Sequence, residues 1–348
     1  MPPPRDRAAV LVLTPASETG MVDALRHACP DASLLPRPAP YDAAALADLL
    51  CAADVVVGGW GDEHLLGARE AALPHRLRLV QQPGAGVDTL DVAAWQRAGV
   101  PVANAPGTNT GSVAEWCLGA TIALLRSTVW ADAQVRDGRW PQHEVVARGC
   151  RDLADCTVAV LGAGPIGRRA AALYRAFGCT VLISSRRDEA VPGATVVAPD
   201  AWDALLPGVD VLVPTVALTP ATRHLVGADL LGRLRPGAVL VNASRGAVVD
   251  EAALVAALRS GRLAGAALDV FDPEPLAAGS PLRELPGVLL SPHVAGGTSS
   301  ARRRIFQAVA ANVAAALAGR DPAHVLPYSA AHGAPCPAPS PDPLEEPR

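Results

Sequence analysis

The 348-residue chain is 50% hydrophobic and carries a formal net charge of −4, enough apolar material for a substantial core and, by size, for two domains. No basic face stands out, so nucleic acid is not an expected partner. All 30 basic residues are arginine, and without a lysine amine neither a Walker-type phosphate loop nor Schiff-base chemistry is available.

The seven cysteines (29, 51, 117, 150, 156, 179 and 336) form no C-x-x-C pair and no metal-spaced cluster with histidine, so no metal site is expected. An odd, scattered set fits reduced thiols better than a disulfide framework. The proline-rich start, Met1–Arg5, lacks the apolar run of a signal peptide. No stretch reaches the ~18 uninterrupted apolar residues of a membrane span. The expectation is a soluble cytoplasmic protein.

In chain order, Val10–Leu13, Val55–Val57 and Leu77–Val80 read as buried strands, with a helix over Ala43–Ala52. A turn-rich break, Asn104–Gly111, precedes a helix over Val113–Leu125. Val158–Leu161 then reads as a strand, Ile166–Phe177 as a helix, and Val181–Ile183, Val211–Val213 and Val239–Val241 as strands. Glu251–Ser260 follows as a helix, and Ala266–Leu268 and Val288–Leu290 as strands. A second break near Ser291–Pro292 precedes a last helix, Ser300–Leu317. Alternating strand and helix predicts an α/β protein with parallel sheets covered on both faces. The two breaks favour one domain, about 105–291, inserted into another made of 1–104 and 292–328. The Pro/Ala/Ser-rich tail, 329–348, is expected to be disordered.

Thr157–Leu161 runs directly into Gly162-Ala-Gly-Pro-Ile-Gly167. This is G-x-G-x-x-G after a strand and opening a helix, the context expected of a dinucleotide site, with a tight βα turn that binds nothing as the alternative. Gly162 permits the tight turn, Gly164 lets the backbone approach a pyrophosphate, and Gly167 allows close helix–strand packing. The amides and the positive dipole end of the helix favour an anion there. Pro165 suits the first helical position but removes one donor, and Ile166 follows it in the loop. At the end of the next strand, where a carboxylate would bind a ribose 2′-hydroxyl, stand Ser185, Arg186 and Arg187. Hydroxyl and guanidinium groups suit a 2′-phosphate, so NADP(H) is favoured over NAD(H), with Asp188 near enough to favour the opposite.

Arg245, Glu274 and His293 each follow an apolar strand, so an open parallel sheet could bring all three to its carboxyl-end crevice. Each also has a plain structural alternative: an ion-pair partner at a helix start, a solvated loop acid, a capping histidine.

Together with these segments, Pro83-Gly-Ala-Gly-Val-Asp88, Ser112-Val-Ala-Glu115, Asn242-Ala-Ser-Arg-Gly246, Glu274-Pro275 and Ser291-Pro-His-Val-Ala-Gly296 resemble the D-isomer-specific 2-hydroxyacid dehydrogenase family, over nearly all of residues 50–325. The resemblance implies two Rossmann-like domains, the cofactor domain inserted into a discontinuous substrate domain, with the active site in the cleft between them. It implies that Arg245 holds the substrate carboxylate and polarises its carbonyl, that His293 exchanges the proton, and that Glu274 bonds to His293. The amides of Gly84, Ala85, Gly86 and Val87 would bind the substrate carboxylate. Ala243, Asp269 and the Thr215–Val216 backbone would orient the nicotinamide. A homodimer joined through the cofactor domains is implied too, with Trp116–Trp140 in its surface; a core role for these tryptophans is the alternative. The expected activity is hydride transfer between NAD(P)H and the carbonyl carbon of a small 2-oxo acid, glyoxylate or hydroxypyruvate among them. Alternatives are a formate- or phosphite-type dehydrogenase, with Gly58, Gly59 and Trp60 the nearest side-wall residues, and a dinucleotide-sensing corepressor without turnover. Two departures stand out: Ala217-Leu-Thr219 where the family often has Pro-Leu-Thr, and Ser185 where NAD-preferring members have an acid.

Overall fold

The computed structural model describes residues 7–328 apart from 16, 39–41, 61–65 and 188; Asp188 and the tail 329–348 lie outside the described residues. The first part of the chain alternates strand and helix: β1 (Ala9–Val12), α1 (Thr19–Ala28), β2 (Ser33–Pro36), α2 (Ala43–Ala52), β3 (Val55–Val57), α3 (Ala68–Ala71), β4 (Leu79–Gln81), α4 (Val92–Arg97) and β5 (Val102–Ala103). After three consecutive helices, α5 (Thr110–Leu125), α6 (Thr128–Arg136) and α7 (Gln142–Ala147), the alternation resumes. It runs β6 (Thr157–Leu161), α8 (Pro165–Ala176), β7 (Thr180–Ser184), β8 (Thr195–Val197), β9 (Val211–Pro214), α9 (Ala228–Arg233) and β10 (Ala238–Asn242). It ends with α10 (Glu251–Arg259), β11 (Leu263–Leu268), β12 (Val288–Leu290) and α11 (Ser299–Leu317).

The strands form two parallel sheets, β2-β1-β3-β4-β5 and β12-β11-β10-β9-β6-β7-β8. The central strands are continuous apolar runs because helices cover both faces: β1, β3, β9 and β10 are buried along their whole length. Separate apolar clusters fill the two faces of each sheet.

Both sheets use the same device where strand order reverses. Asp54, one residue before β3, accepts the Ala9 N–H of β1 at 2.9 Å and pairs with Arg76 and Arg78. Asp210, one residue before β9, accepts the Thr157 N–H of β6 at 2.9 Å and pairs with Arg151 at 2.6 Å and Arg235 at 2.9 Å. A buried carboxylate thus ties the paired strands at their amino ends, while their carboxyl ends open into a crevice.

The chain passes from one sheet to the other after β5 and returns after β12. Helix α5 packs on α8 and the seven-stranded sheet, and α11 packs on α1, β3 and β4 of the five-stranded one. At the crossing the hydroxyls of Ser112 and Thr298 share a 2.8 Å hydrogen bond, and Arg304 Nε donates to the Thr108 carbonyl at 2.8 Å. Beyond α11 the chain returns to the edge of the five-stranded sheet, where Ala103 bridges Val325.

Candidate active site

The glycine loop leaves β6 at the reversal point between β6 and β9. Gly162 has φ +113°, a left-handed conformation that a side chain strains. A Cβ on Gly167 would collide with the Gly162 carbonyl oxygen and lie 2.6 Å from Thr215 Oγ1. Thr215, just past β9, donates its hydroxyl to the Gly162 carbonyl at 2.9 Å and fixes the turn. Val216 packs against Gly162 from the same side. Around Gly164, the residue before the first turn of α8, a Cβ would meet nothing within 4 Å. The loop is therefore tight where it packs and open where a pyrophosphate would approach, and Pro165 begins the helix as expected.

Ser185 Oγ accepts the Arg187 N–H at 3.0 Å, which curls the chain after β7. Arg186 and Arg187 are exposed, and Arg168 on α8 pairs with Glu189 at 2.6 Å, Arg187 lying 3.9 Å from the same carboxylate.

At the end of β10, the buried Asn242 makes its own turn. Its Oδ1 accepts the Ser244 N–H at 3.0 Å and its Nδ2 donates to the Arg245 carbonyl at 3.0 Å. Ala243 is half-buried within this turn. Gly246 lies so close to the Phe271 backbone that no Cβ fits. Arg245 is thereby projected across the cleft. Its Nε donates to both carboxylate oxygens of Asp88 at 2.9 and 3.0 Å, and Nη1 donates to the Ser244 carbonyl at 2.8 Å. Nη2 occupies the space that a Cβ on Gly86 would fill. Gly84 and Ala85 are held from the other side, where Asn104 Nδ2 donates to the Ala85 carbonyl at 2.7 Å and the Ala105 N–H to that of Gly84 at 3.1 Å. Val87, half-buried, completes the loop.

Glu274 follows β11 in a loop where Pro273 and Pro275 both stand after cis peptide bonds. Oε1 accepts the Phe271 N–H at 2.9 Å, and Oε2 lies 2.8 Å from His293 Nδ1. His293 itself has φ +54°, a conformation that few side-chain-bearing residues adopt and that recurs at functional sites. The turn is held by Asp269, which is 1% exposed. Its Oδ1 accepts the Ser291 hydroxyl and the Val294 N–H, and its Oδ2 accepts the Ala295 N–H at 2.7 Å. The family resemblance points Asp269 at the nicotinamide, and in the structure its carboxylate accepts bonds from the loop that carries His293.

The charges are coupled. The Glu274 hydrogen bond, outweighing burial, raises the His293 pKa above its usual 6.5, with Arg245 opposing and Asp269 adding. Burial works to raise Glu274, but its bonds to His293 and to the Phe271 amide leave it below the ordinary carboxylate range. Asp88 is likewise lowered, burial being overcome by the hydrogen bond and charge of Arg245. The structure thus brings Arg245, Glu274 and His293 into one electrostatic neighbourhood with Asp88, which lies 157 residues from Arg245 in sequence.

Sequence reasoning assigned no role to Asp88, Asn104, Asn242 or Ser291. Asp88, Asn242 and Ser291 lie within motifs and Asn104 opens a turn-rich break, but the partner of each is fixed only by the fold. Among the described residues, no group of three or more His, Cys, Asp or Glu could hold a metal ion, and no helix is long and apolar enough to cross a membrane. Trp60 is 36% exposed beyond β3, and Trp116 packs partly buried against the α5 side of the core.

A glycine loop at the reversal point of a parallel sheet, facing an arginine and a histidine–glutamate couple, defines a nicotinamide-dependent dehydrogenase. Residues 118–295 match the model of the D-isomer specific 2-hydroxyacid dehydrogenase NAD-binding domain. The chain is 38% identical over 257 residues to the glyoxylate reductase of Aeropyrum pernix, covering 72% of this chain and 76% of that protein. The glyoxylate reductase of Thermococcus litoralis is 34% identical over 259 residues, 72% of this chain and 77% of that protein. Among solved structures, the NADPH-dependent glyoxylate/hydroxypyruvate reductase of Sinorhizobium meliloti, in complex with NADP and malonate, superposes with a TM-score of 0.79 at 29% identity. That match covers 92% of this chain and 97% of that one. The chain belongs to the D-isomer-specific 2-hydroxyacid dehydrogenase family, and it is an NAD(P)-dependent oxidoreductase.

Proposed function

We propose that this protein reduces a small 2-oxo acid of the glyoxylate or hydroxypyruvate class to the D-2-hydroxy acid, with NADPH as the favoured reductant. One observation carries the reading: Arg245 and the His293–Glu274 couple face the Gly84–Val87 loop, whose amides can receive a carboxylate. The dinucleotide fits the residues present, because the loop is closed at Gly167 by the Gly162 carbonyl and open at Gly164. Gly162, Gly164, Pro165, Ile166 and Gly167 would hold its pyrophosphate. Ser185, Arg186 and Arg187 would hold the 2′-phosphate, and Thr215, Val216, Ala243 and Asp269 would border the nicotinamide. When bound, the nicotinamide supplies the hydride.

The protein's own groups do the rest. The amides of Gly84, Ala85, Gly86 and Val87 receive the substrate carboxylate, and Arg245 bonds the carboxylate and the carbonyl oxygen with paired donors. As the carbonyl carbon gains its hydride, negative charge grows on the oxygen; Arg245 stabilises it and His293 Nε2 delivers the proton. Glu274 holds Nδ1, so the ring presents its other nitrogen and keeps its proton to a higher pH.

The same reading divides the chain into a substrate domain, 1–104 with 292–328, around a cofactor domain, 105–291, in a cytoplasmic homodimer. Purified protein, supplied separately with NADPH and NADH and a panel of 2-oxo acids, tests it at the nicotinamide absorbance. Faster oxidation of NADPH by glyoxylate or hydroxypyruvate is expected. No oxidation with any 2-oxo acid would refute the activity, and a preference for NADH would refute the cofactor assignment.

A further inference from the structure

We propose that Asp88 is the positioning residue of Arg245: a carboxylate on the loop side of the cleft that sets the plane of the guanidinium and keeps its remaining donors turned toward the substrate. The inference rests on the function proposed above and concerns how its anion site is assembled.

The Arg245 side chain is long, carries about 2 kcal/mol of rotamer entropy, and starts from the wall opposite the Gly84–Val87 amides. Two fixed nitrogens orient a planar guanidinium, and here both are fixed. Nε is held by the two Asp88 oxygens at 2.9 and 3.0 Å, and Nη1 by the Ser244 carbonyl at 2.8 Å. Arginine has five N–H donors, so this clamp leaves three, including both on Nη2. Nη2 sits against the Cα of Gly86, in the space left by the missing side chain. The free donors therefore lie beside the amides that would receive the carboxylate.

The place of Asp88 in the sequence matters. It stands two residues beyond Gly86, on the loop that supplies the amides, whereas Arg245 and Ser244 follow β10 of the other sheet. The ion pair thus keeps the two halves of an anion-binding site in register across the cleft. The side chains of Arg245 and Asp88 are 30% and 27% exposed, so the pair is only partly screened. A different use of the same pair is conceivable on electrostatic grounds: Asp88 could stand where a substrate carboxylate must go and be displaced by it. Its bonds argue otherwise, because they consume Nε and leave Nη2 unused. The two uses predict opposite signs on removing the carboxylate.

The test uses the whole protein loaded with NADPH, with oxamate, an unreactive 2-oxo acid analogue, as the probe. Asp88→Ala should weaken oxamate binding, measured calorimetrically, by about tenfold, equivalent to about 1.4 kcal/mol, with Asp88→Asn between it and the unaltered protein. KM for the 2-oxo acid should rise in parallel, while NADPH affinity and Tm stay near their starting values. Tighter or unchanged oxamate binding in Asp88→Ala would overturn the assignment. So would a joint loss of NADPH affinity and Tm, which marks a general structural role. If the unaltered protein binds no oxamate and turns over no 2-oxo acid, both this inference and the proposed function fall. Intact turnover with indifferent variants removes only Asp88.

Discussion

At the scale of single residues, the site depends on what Gly86 lacks and on what Glu274 holds. Gly86 has no left-handed φ, so glycine is needed there for space alone. Alanine would meet Arg245 Nη2 and push the guanidinium off its line. Gly86→Ala is therefore expected to lower kcat/KM for the 2-oxo acid by about a hundredfold, the order that a small misplacement of a catalytic group costs, with Tm little changed. Kinetics near those of the unaltered enzyme would show that the guanidinium has room to move. Glu274 sets the pH range. Its carboxylate favours the charged imidazole, so His293 keeps its proton above the usual 6.5, and reduction, which needs that proton, should fall only on the alkaline side of the raised value. Glu274→Gln removes the charge that raises it, so the alkaline limb of kcat/KM against pH must move toward lower pH. A limb that stays in place would assign it to another group. Arg245, Glu274 and His293 could be singled out in the sequence because each follows an apolar strand, but their roles came from the family resemblance and not from spacing. Asp88 and Asn104 could not, because an acid in a glycine-rich turn and an asparagine in a loop look ordinary until the fold supplies partners 157 and 19 residues away.

At the scale of elements, the buried central strands announced themselves, and the edge strands did so unevenly. β3, β9 and β10 are valine- and leucine-rich with both faces covered, so composition alone marks them. The apolar edge strand β12 was legible too, whereas β2 ends in Pro36 at a sheet edge, β8 starts on an exposed threonine and is only partly buried, and β5 has only two residues. The repeated aspartate device also escaped notice, because a lone Asp before a valine run reads as a loop residue. Its energetic weight can be measured. The Asp210 side chain is 2% exposed and satisfies a strand amide and two arginines. Asp210→Ala strands those donors, so a loss of about 3 kcal/mol of stability is expected from denaturant titration. Asp54→Ala should cost less, since its arginines stand farther off, at 3.2 and 3.6 Å. Equal or inverted losses would mean that the ion pairs contribute little and that the strand amide alone sets the cost.

At the scale of the whole molecule, several large apolar side chains stand exposed away from the catalytic groups. Trp140 is 81% exposed, Val146 70%, Val129 53% and Val135 48%, all on or beside α6 and α7. A tryptophan so exposed, with three exposed valines between residues 129 and 146, is a candidate contact for a second copy of the chain. Arg148 lies 4.4 Å over the Trp130 ring and covers one neighbour, which leaves Trp140 as the most exposed large apolar side chain among the described residues. These helices follow α5, which packs on the seven-stranded sheet, so a second copy docking here would join the two seven-stranded halves. A dimer in sedimentation velocity is expected, and Trp140→Arg combined with Val146→Asp should convert it to a monomer with unchanged far-ultraviolet circular dichroism. Turnover should fall only as far as the dimer steadies the cofactor half, because the Arg245–Asp88 and His293–Glu274 pairs are complete within one chain. A double variant that still sediments as a dimer would place the interface elsewhere, and a monomeric parent protein would leave this apolar face to a different partner.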